Sequence, residues 1–253
     1  MALLELRSVG KNFGGLAAVK DLTLDVESGG IVSLIGPNGA GKSTVFNLIT
    51  GIYAPTSGTI AFEGRGLNGL RPDLVTALGV ARTFQNIRLF SFMTVLENVM
   101  VGRNARMHAT IADSALHTPR ALHEDDDVRR AAGELLDFFG LTGYAAEWAR
   151  NLPYGMQRRL EMARALASQP RLLLLDEPAA GTNPAEKQAL MRLVQAIRER
   201  GVTVLLIEHD MRLVMGISDE VHVLDYGEQI AHGNPEQVRR DPRVIEAYLG
   251  KGA

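Results

Sequence analysis

Apolar positions along this chain follow two rhythms, one of period two and one of period 3.6. In "LTLDVESGG" Leu22, Leu24 and Val26 alternate with Thr23, Asp25 and Glu27 before a Ser-Gly-Gly turn, which predicts a half-buried strand. The opening "MALLELRSVGKNF" alternates in the same way. "IVSLIG" (31–36) is continuously apolar, the pattern of a strand buried on both faces. A glycine-rich loop follows it, then a helix from about Lys42. "SGTIAFEG" (57–64) reads as a short strand between glycines, and "LLLL" (172–175) and "VTVLLI" (202–207) are strand-sized apolar runs. "EVHVLDYG" and "EQIAHG" (220–233) read as a hairpin. The helical rhythm governs "VRRAAGELLDFFG" (128–140), which places Val128, Ala131, Ala132, Leu135, Leu136 and Phe139 on one face. In "NPAEKQALMRLVQAIRERG" Asn183 is the N-cap, Pro184 the first helical residue and Gly201 the terminator. "ARMHATIADSALHTPRALHEDDD" (105–127) has no clear period and reads as a loop or short helices.

Strands alternating with helices predict the α/β class, with a mostly parallel sheet and crossover helices. Residues 1–253 read as one domain, with a mostly helical subdomain over about 88–165. Composition narrows the function classes. A net charge of −2 from 27 basic and 29 acidic residues offers no basic footprint for nucleic acid. The absence of cysteine excludes disulfides, thiolate metal sites and cysteine nucleophiles. No apolar run reaches bilayer length and the N-terminus does not read as a signal peptide, so the expected location is cytoplasmic.

"GPNGAGKS" (36–43) matches G-x-x-x-x-G-K-[ST]. Gly36, Gly39 and Gly41 let the backbone, with Pro37, Asn38 and Ala40, wrap phosphate oxygens without Cβ clashes. The converging amides make an anion nest, and the helix adds its positive end. Lys42 supplies a charge to β- and γ-phosphates, the Ser43 hydroxyl suits Mg²⁺, and Thr44 is placed for the α-phosphate. The bland alternative is a glycine-rich turn without a ligand, but the apolar strand before and the helix after are the context a phosphate loop requires.

"LLLLDE" supplies the second half of a nucleotide site. Its strand carries Asp176 to the sheet edge, where a carboxylate can hold a water of the Mg²⁺ shell. Glu177 lies one residue further and can act as a general base on water in line with the γ-phosphate. Alone, two acids ending a strand are an ordinary exposed edge; the phosphate loop in the same chain changes that weighting.

These residues, with Gln85, "LPYGMQRRLEMARAL" and His209, occur in the order and spacing of an ATP-binding-cassette (ABC) transporter ATPase, which the whole chain resembles. The resemblance implies a RecA-like P-loop core, an antiparallel β-subdomain and a helical subdomain carrying the signature motif, with ATP and Mg²⁺ as ligands. It implies that Phe13 stacks on adenine, that Gln85 is a Mg²⁺ ligand sensing the membrane partner, and that His209 contacts the γ-phosphate. "AAGTNP" (179–184) resembles the loop that communicates between subunits, with Asn183 where many cassettes have Asp. Pro153, Tyr154, Gly155, Met156 and Gln157 belong to "LPYGMQ", whose first five residues, Leu152 to Met156, stand where the family has LSGGQ, the motif that completes a second subunit's ATP site. Ser and Gln are replaced by Pro153 and Met156, which implies a weakened signature.

"RTFQNIRLFSFMTVLENVMVGR" (82–103), "LIEHDMRLVMGISDEVHVLDYGEQIAHG" and "PRVIEAYLG" resemble the larger of two ATPase subunits of branched-chain amino-acid importers. That implies two transmembrane permease subunits, a second, non-identical ATPase (or a homodimer), an extracytoplasmic binding protein and a peripheral place on the cytoplasmic face of the membrane. Leu89–Met93 is the candidate segment for docking a permease, against the plainer reading of subdomain core. The alternatives are another transporter ATPase, such as that of lipopolysaccharide export, and a soluble non-transport ABC protein.

Overall fold

The computed structural model describes residues 2–106 and 118–249. The two long N-terminal strands, β1 (Ala2–Phe13) and β2 (Leu16–Glu27), pair antiparallel. With β4 (Ser57–Phe62) and β5 (Arg65–Gly66) they make a four-stranded antiparallel sheet in the order β2-β1-β4-β5. The strand read at Leu22–Glu27 extends back to Leu16 across a break in the alternation at Lys20 and Asp21, where Asp21 has φ 45°, so β2 is twice as long as that pattern alone marks.

The second sheet has six strands. β3 (Ile31–Ile35), β6 (Val80–Arg82), β7 (Leu172–Asp176), β8 (Thr203–Ile207) and β9 (Glu220–Asp225) are parallel, and β10 (Glu228–Gly233) closes one edge as the antiparallel arm of a hairpin. The order is β10-β9-β3-β8-β7-β6. Every residue of β3, β7 and β8 is buried. Their side chains alternate between two cores, as the pleat requires. Leu172, Leu174, Leu205 and Ile207 join the core shared with the antiparallel sheet and α1 (Lys42–Ile49). Leu173, Leu175, Val204 and Leu206 join the core on the opposite, helical side. A one-residue slip in register would exchange the two sets, which is why these runs are apolar throughout.

The helical side holds α3 (Val95–Gly102), α4 (Pro119–Phe138), α5 (Tyr154–Ala167) and α6 (Pro184–Glu199). Residues 119–127, expected as loop or short helices, instead form the first nine residues of the single helix α4. Pro119 at the helix start is compatible with that geometry. Residues 122, 123 and 125–127 are exposed and Val128 is the first of the helix's described side chains to reach the core, so this stretch shows no apolar stripe. The rest of the polar insert, 107–117, lies outside the described residues. α6 begins as read, with Asn183 and Glu186 forming a capping box behind Pro184, and Gly201 follows its end at φ 83°. The remaining helices are α2 (Pro72–Leu78), α7 (Met211–Ile217), α8 (Pro235–Arg240) and α9 (Pro242–Leu249).

Register places the chemistry. Leu34 of β3 pairs with Ile207 of β8, and Ile207 pairs with Asp176 of β7. The chain therefore leaves three adjacent strands at one sheet edge, at Gly36, Glu177 and Glu208. Ligands of open α/β sheets bind at that edge.

Candidate nucleotide site

A cleft of about 630 Å³ lies at this edge, walled by Phe13, residues 38–44, Gln85, Glu177 and, on the rim, Lys20 and Tyr226. Two glycines of the phosphate loop leave no room for a side chain. Gly36 (φ 149°) and Gly41 (φ 101°) sit where a Cβ would strike the carbonyl oxygens of Leu224 and Ala18 respectively. Lys42 is buried and its ammonium donates to the Gly36 and Pro37 carbonyls at 2.7 and 2.9 Å. Burial pushes its pKa down, while the charges of Glu177 and Asp176 pull it back up. Ser43 opens to solvent on the first turn of α1, with Thr44 half-buried beside it.

Asp176 and Glu177 occupy different environments. The Asp176 carboxylate is buried and its Oδ2 pairs with Arg82 at 2.8 Å. Arg82 also donates to Asn47 of α1 at 2.7 Å and lies against the rings of Phe46 and Phe84, with its Nε buried and unpartnered. Glu177 adopts φ 47°, in the left-handed region, and its amide donates to Ile207 O at 2.9 Å. A non-glycine residue held there stores strain of about 1–3 kcal/mol, a pattern that clusters at functional sites. The turn brings Glu177 to the cleft, where Gln85 Nε2 donates to its carboxylate at 2.8 Å.

Gln85 is held through its backbone by α5. Arg158 donates to the carbonyls of Phe84 and Gln85 at 2.9 and 2.6 Å, and Glu161 accepts from the amides of Phe84 and Arg88, both at 3.3 Å. Both side chains are buried. Desolvation raises the Glu161 pKa, and those two amides oppose the rise.

Phe13 is half-exposed, packs edge-on against Tyr53 at 5.1 Å between ring centroids, and has the Lys11 ammonium 5.0 Å from its centroid. His209 leaves β8 at the same sheet edge but is not among the residues lining the cleft; its side chain is 60% exposed. Pro153–Gln157 lie elsewhere, at the start of α5. Pro153 is the N-cap of α5, a position without need of an N–H, and Pro153, Gly155 and Met156 line a separate 220 Å³ cavity against α6. The Tyr154 hydroxyl accepts from Arg158, and Gln157 donates to Leu152 O. The same chain thus brings together the phosphate loop, Gln85 and Glu177 in one cleft, and keeps the signature positions out of it. Sequence reasoning missed Arg82, Arg158, Glu161 and Tyr226. Only Arg82 left a trace, as a cation on the otherwise apolar strand before Gln85.

Serine, amide and carboxylate oxygens form the donor set near Lys42, which suits a hard cation such as Mg²⁺. Among the described residues no group of three or more His, Cys, Asp or Glu can hold a metal by itself. Any Mg²⁺ here therefore needs phosphate oxygens and waters to complete its shell, which is how Mg²⁺ is usually held beside nucleotides.

A parallel core with a phosphate loop and an Asp-Glu strand end, an added antiparallel sheet and a helical layer together define an ABC-type ATPase with a RecA-like P-loop core. The sequence pattern of ABC transporters matches residues 19–180, that of the branched-chain amino acid ATP-binding cassette transporter matches residues 228–253, and the chain belongs to the ABC transporter family. It is 47% identical over 250 residues, 98% of both chains, to the high-affinity branched-chain amino acid transport ATP-binding protein LivG of Salmonella typhimurium. It is 46% identical, with the same coverage, to BraF of Pseudomonas aeruginosa, which carries the same description. Among solved structures it is similar to the ATP-binding cassette MJ1267 in its ADP conformation (TM-score 0.86, 31% identity, 99% of this chain and 100% of that one). It is also similar to the cassette MJ0796, solved as a post-hydrolysis dimer with ADP and phosphate (TM-score 0.78, 26% identity, 92% and 98% covered). The chain binds nucleotide and hydrolyses ATP as an ABC transporter subunit.

Proposed function

We propose that this chain is the ATP-hydrolysing subunit of an importer for branched-chain amino acids, with Mg-ATP bound in the cleft at the edge of the parallel sheet. The observation that carries the site reading is the convergence of the phosphate loop, Gln85 and Glu177 on one cleft, with the buried Asp176 beside it. The substrate reading rests on the relatives and on the match over residues 228–253, which favours amino-acid import over the lipopolysaccharide-export alternative.

In this reading the amides of residues 36–41 and Lys42 hold the phosphates, and Phe13 packs on the base. Ser43, Gln85 and, through water, Asp176 hold Mg²⁺, which when bound neutralises charge on the β- and γ-phosphates. Glu177 accepts the proton of the water that attacks the γ-phosphorus as the bond to the β–γ bridging oxygen breaks. For that, Gln85 must release the Glu177 carboxylate, so the hydrogen bond between them marks a resting arrangement. His209 swings toward the γ-phosphate from its exposed position. Residues 153–157, which do not line the cleft, serve the ATP site of a second ATPase.

No helix among the described residues is long and apolar enough to cross a membrane. The chain works from the cytoplasmic face by docking to two permease subunits, which receive substrate from an extracytoplasmic binding protein. Exposed Phe90, Phe92 and Met93 near Trp148, on the helical subdomain of about 88–165, supply the apolar docking surface. The test is co-purification from native membranes followed by reconstitution in vesicles. Two permeases and a second ATPase, with hydrolysis stimulated by leucine-loaded binding protein, support the reading. Hydrolysis indifferent to any hydrophobic amino acid refutes the substrate assignment.

A further inference from the structure

Glu208, the first residue after β8, has no solvent exposure, although the strand before it is wholly apolar in its last four residues. A buried carboxylate persists only where donors satisfy it. Its Oε1 accepts from the Ala179 amide at 2.8 Å. Its Oε2 accepts from the His209 amide at 3.1 Å and lies 3.8 Å from His209 Nδ1. Desolvation raises its pKa, and the amides of Ala179, His209 and Asp210 oppose the rise. On the other side of His209, Asp210 caps α7 by accepting from Arg212 and Leu213 amides at 3.0 and 3.3 Å, and pairs with Lys187 of α6 at 2.6 Å. Two acids thus pin the backbone on either side of His209, while the imidazole stays 60% exposed.

We propose that Glu208 is a positioning residue: its carboxylate aims His209 and ties it to the loop 179–184 that leaves the Asp176–Glu177 edge. Two acceptor oxygens are the requirement, one for each loop. Glutamine has the same shape but a single carbonyl oxygen, so one of the two amides would face an NH₂ group. Movement of Ala179 is then passed to His209 through one rigid group. This makes arrival of a second subunit at loop 179–184 a direct influence on the histidine. The proposal rests on the reading of His209 as a γ-phosphate contact.

The test is a double-mutant cycle in the assembled transporter, measuring kcat and KM for ATP in Glu208→Gln, His209→Ala and the pair. Glu208→Gln is expected to lower kcat about 10-fold or more, since small misplacements of reacting groups carry such costs, with KM within about 2-fold of wild type. In the His209→Ala background the same change should alter kcat less than about 2-fold, because its effect runs through His209. An equal drop in both backgrounds means a purely structural role and overturns the proposal, as does no drop in either. If His209→Ala alone leaves kcat at wild type, the reading of His209 itself fails and the proposal with it. Should Glu208→Gln not fold, Glu208→Asp, which keeps the charge but is one methylene too short to reach both the Ala179 and the His209 amides, is read by the same cycle. A loss of kcat that vanishes without His209 supports the proposal; a loss that persists, or none, overturns it.

Discussion

Arg82→Met isolates the buried ion pair beneath the nucleotide cleft. The side chains of Arg82 and Asp176 are 8% and 6% exposed, with 2.8 Å between nitrogen and oxygen. Methionine keeps the length and the apolar contact with Phe46 and Phe84 while removing the charge and the donor to Asn47. Asp176 is left without its cation in a site that water barely reaches. Removing one partner of such a pair costs about 3–5 kcal/mol, far more than the roughly 0–1 kcal/mol of an exposed pair. For a chain of this size that lowers Tm by about 6–20 °C. The assay is urea unfolding of the nucleotide-free chain, followed by far-UV circular dichroism and by Trp148 fluorescence. Asp176→Asn and the double variant complete a cycle. The double variant should be more stable than the sum of the two single losses by about 2–3 kcal/mol, because it leaves no isolated charge. Arg82→Met within about 1 kcal/mol of wild type, or strict additivity, would show that water or another cation compensates Asp176 and would refute the reasoning.

Four further outcomes are expected. Lys42→Ala should abolish nucleotide binding and hydrolysis, read with a fluorescent ATP analogue; wild-type affinity contradicts the placement of the phosphates. Glu177→Gln should bind Mg-ATP normally but hydrolyse it about 10²–10⁴-fold more slowly, seen by phosphate release, because an amide cannot accept the proton. Pro153→Ser with Met156→Gln, in the Glu177→Gln background, should strengthen ATP-dependent dimerisation in sedimentation, each restored hydrogen bond contributing on the order of 1 kcal/mol; an already tight dimer that the change leaves unaltered counts against a weakened signature. Burial, helped by His232, lowers the pKa of His222 from 6.5 to about 4. The unfolded chain therefore binds the extra proton first. Stability is full above about pH 6.5 and falls by up to about 3 kcal/mol as pH drops toward 4, a slope that urea titrations should lose in His222→Phe.

The parts of the site legible in the sequence are the contiguous ones. Ile31–Thr44 and Leu172–Glu177 each carry a strand, a turn and candidate chemistry within one short run, so local physics singles them out. Phe13, Gln85 and His209 needed a family resemblance, because a lone aromatic, amide or imidazole has no local signature. Arg82 and Glu208 were not recognised as functional. Their meaning depends on β6 and β8 lying on either side of β7, a pairing that only the folded sheet provides. The helix α4 was underestimated for a different reason. Its first half has no core to face, so helical periodicity, which reports burial, is silent there.

The grip of α5 on the segment around Gln85 has an evolutionary consequence. Arg158 and Glu161 hold carbonyls and amides of Phe84, Gln85 and Arg88, and none of the side chains of those residues takes part in those bonds. Every amino acid except proline offers the same atoms. On the proposed docking at Phe90, Phe92 and Met93, the exposed side chains from Arg88 onward can be changed without loosening this linkage, so that one engine would adapt to different partners through a few surface residues.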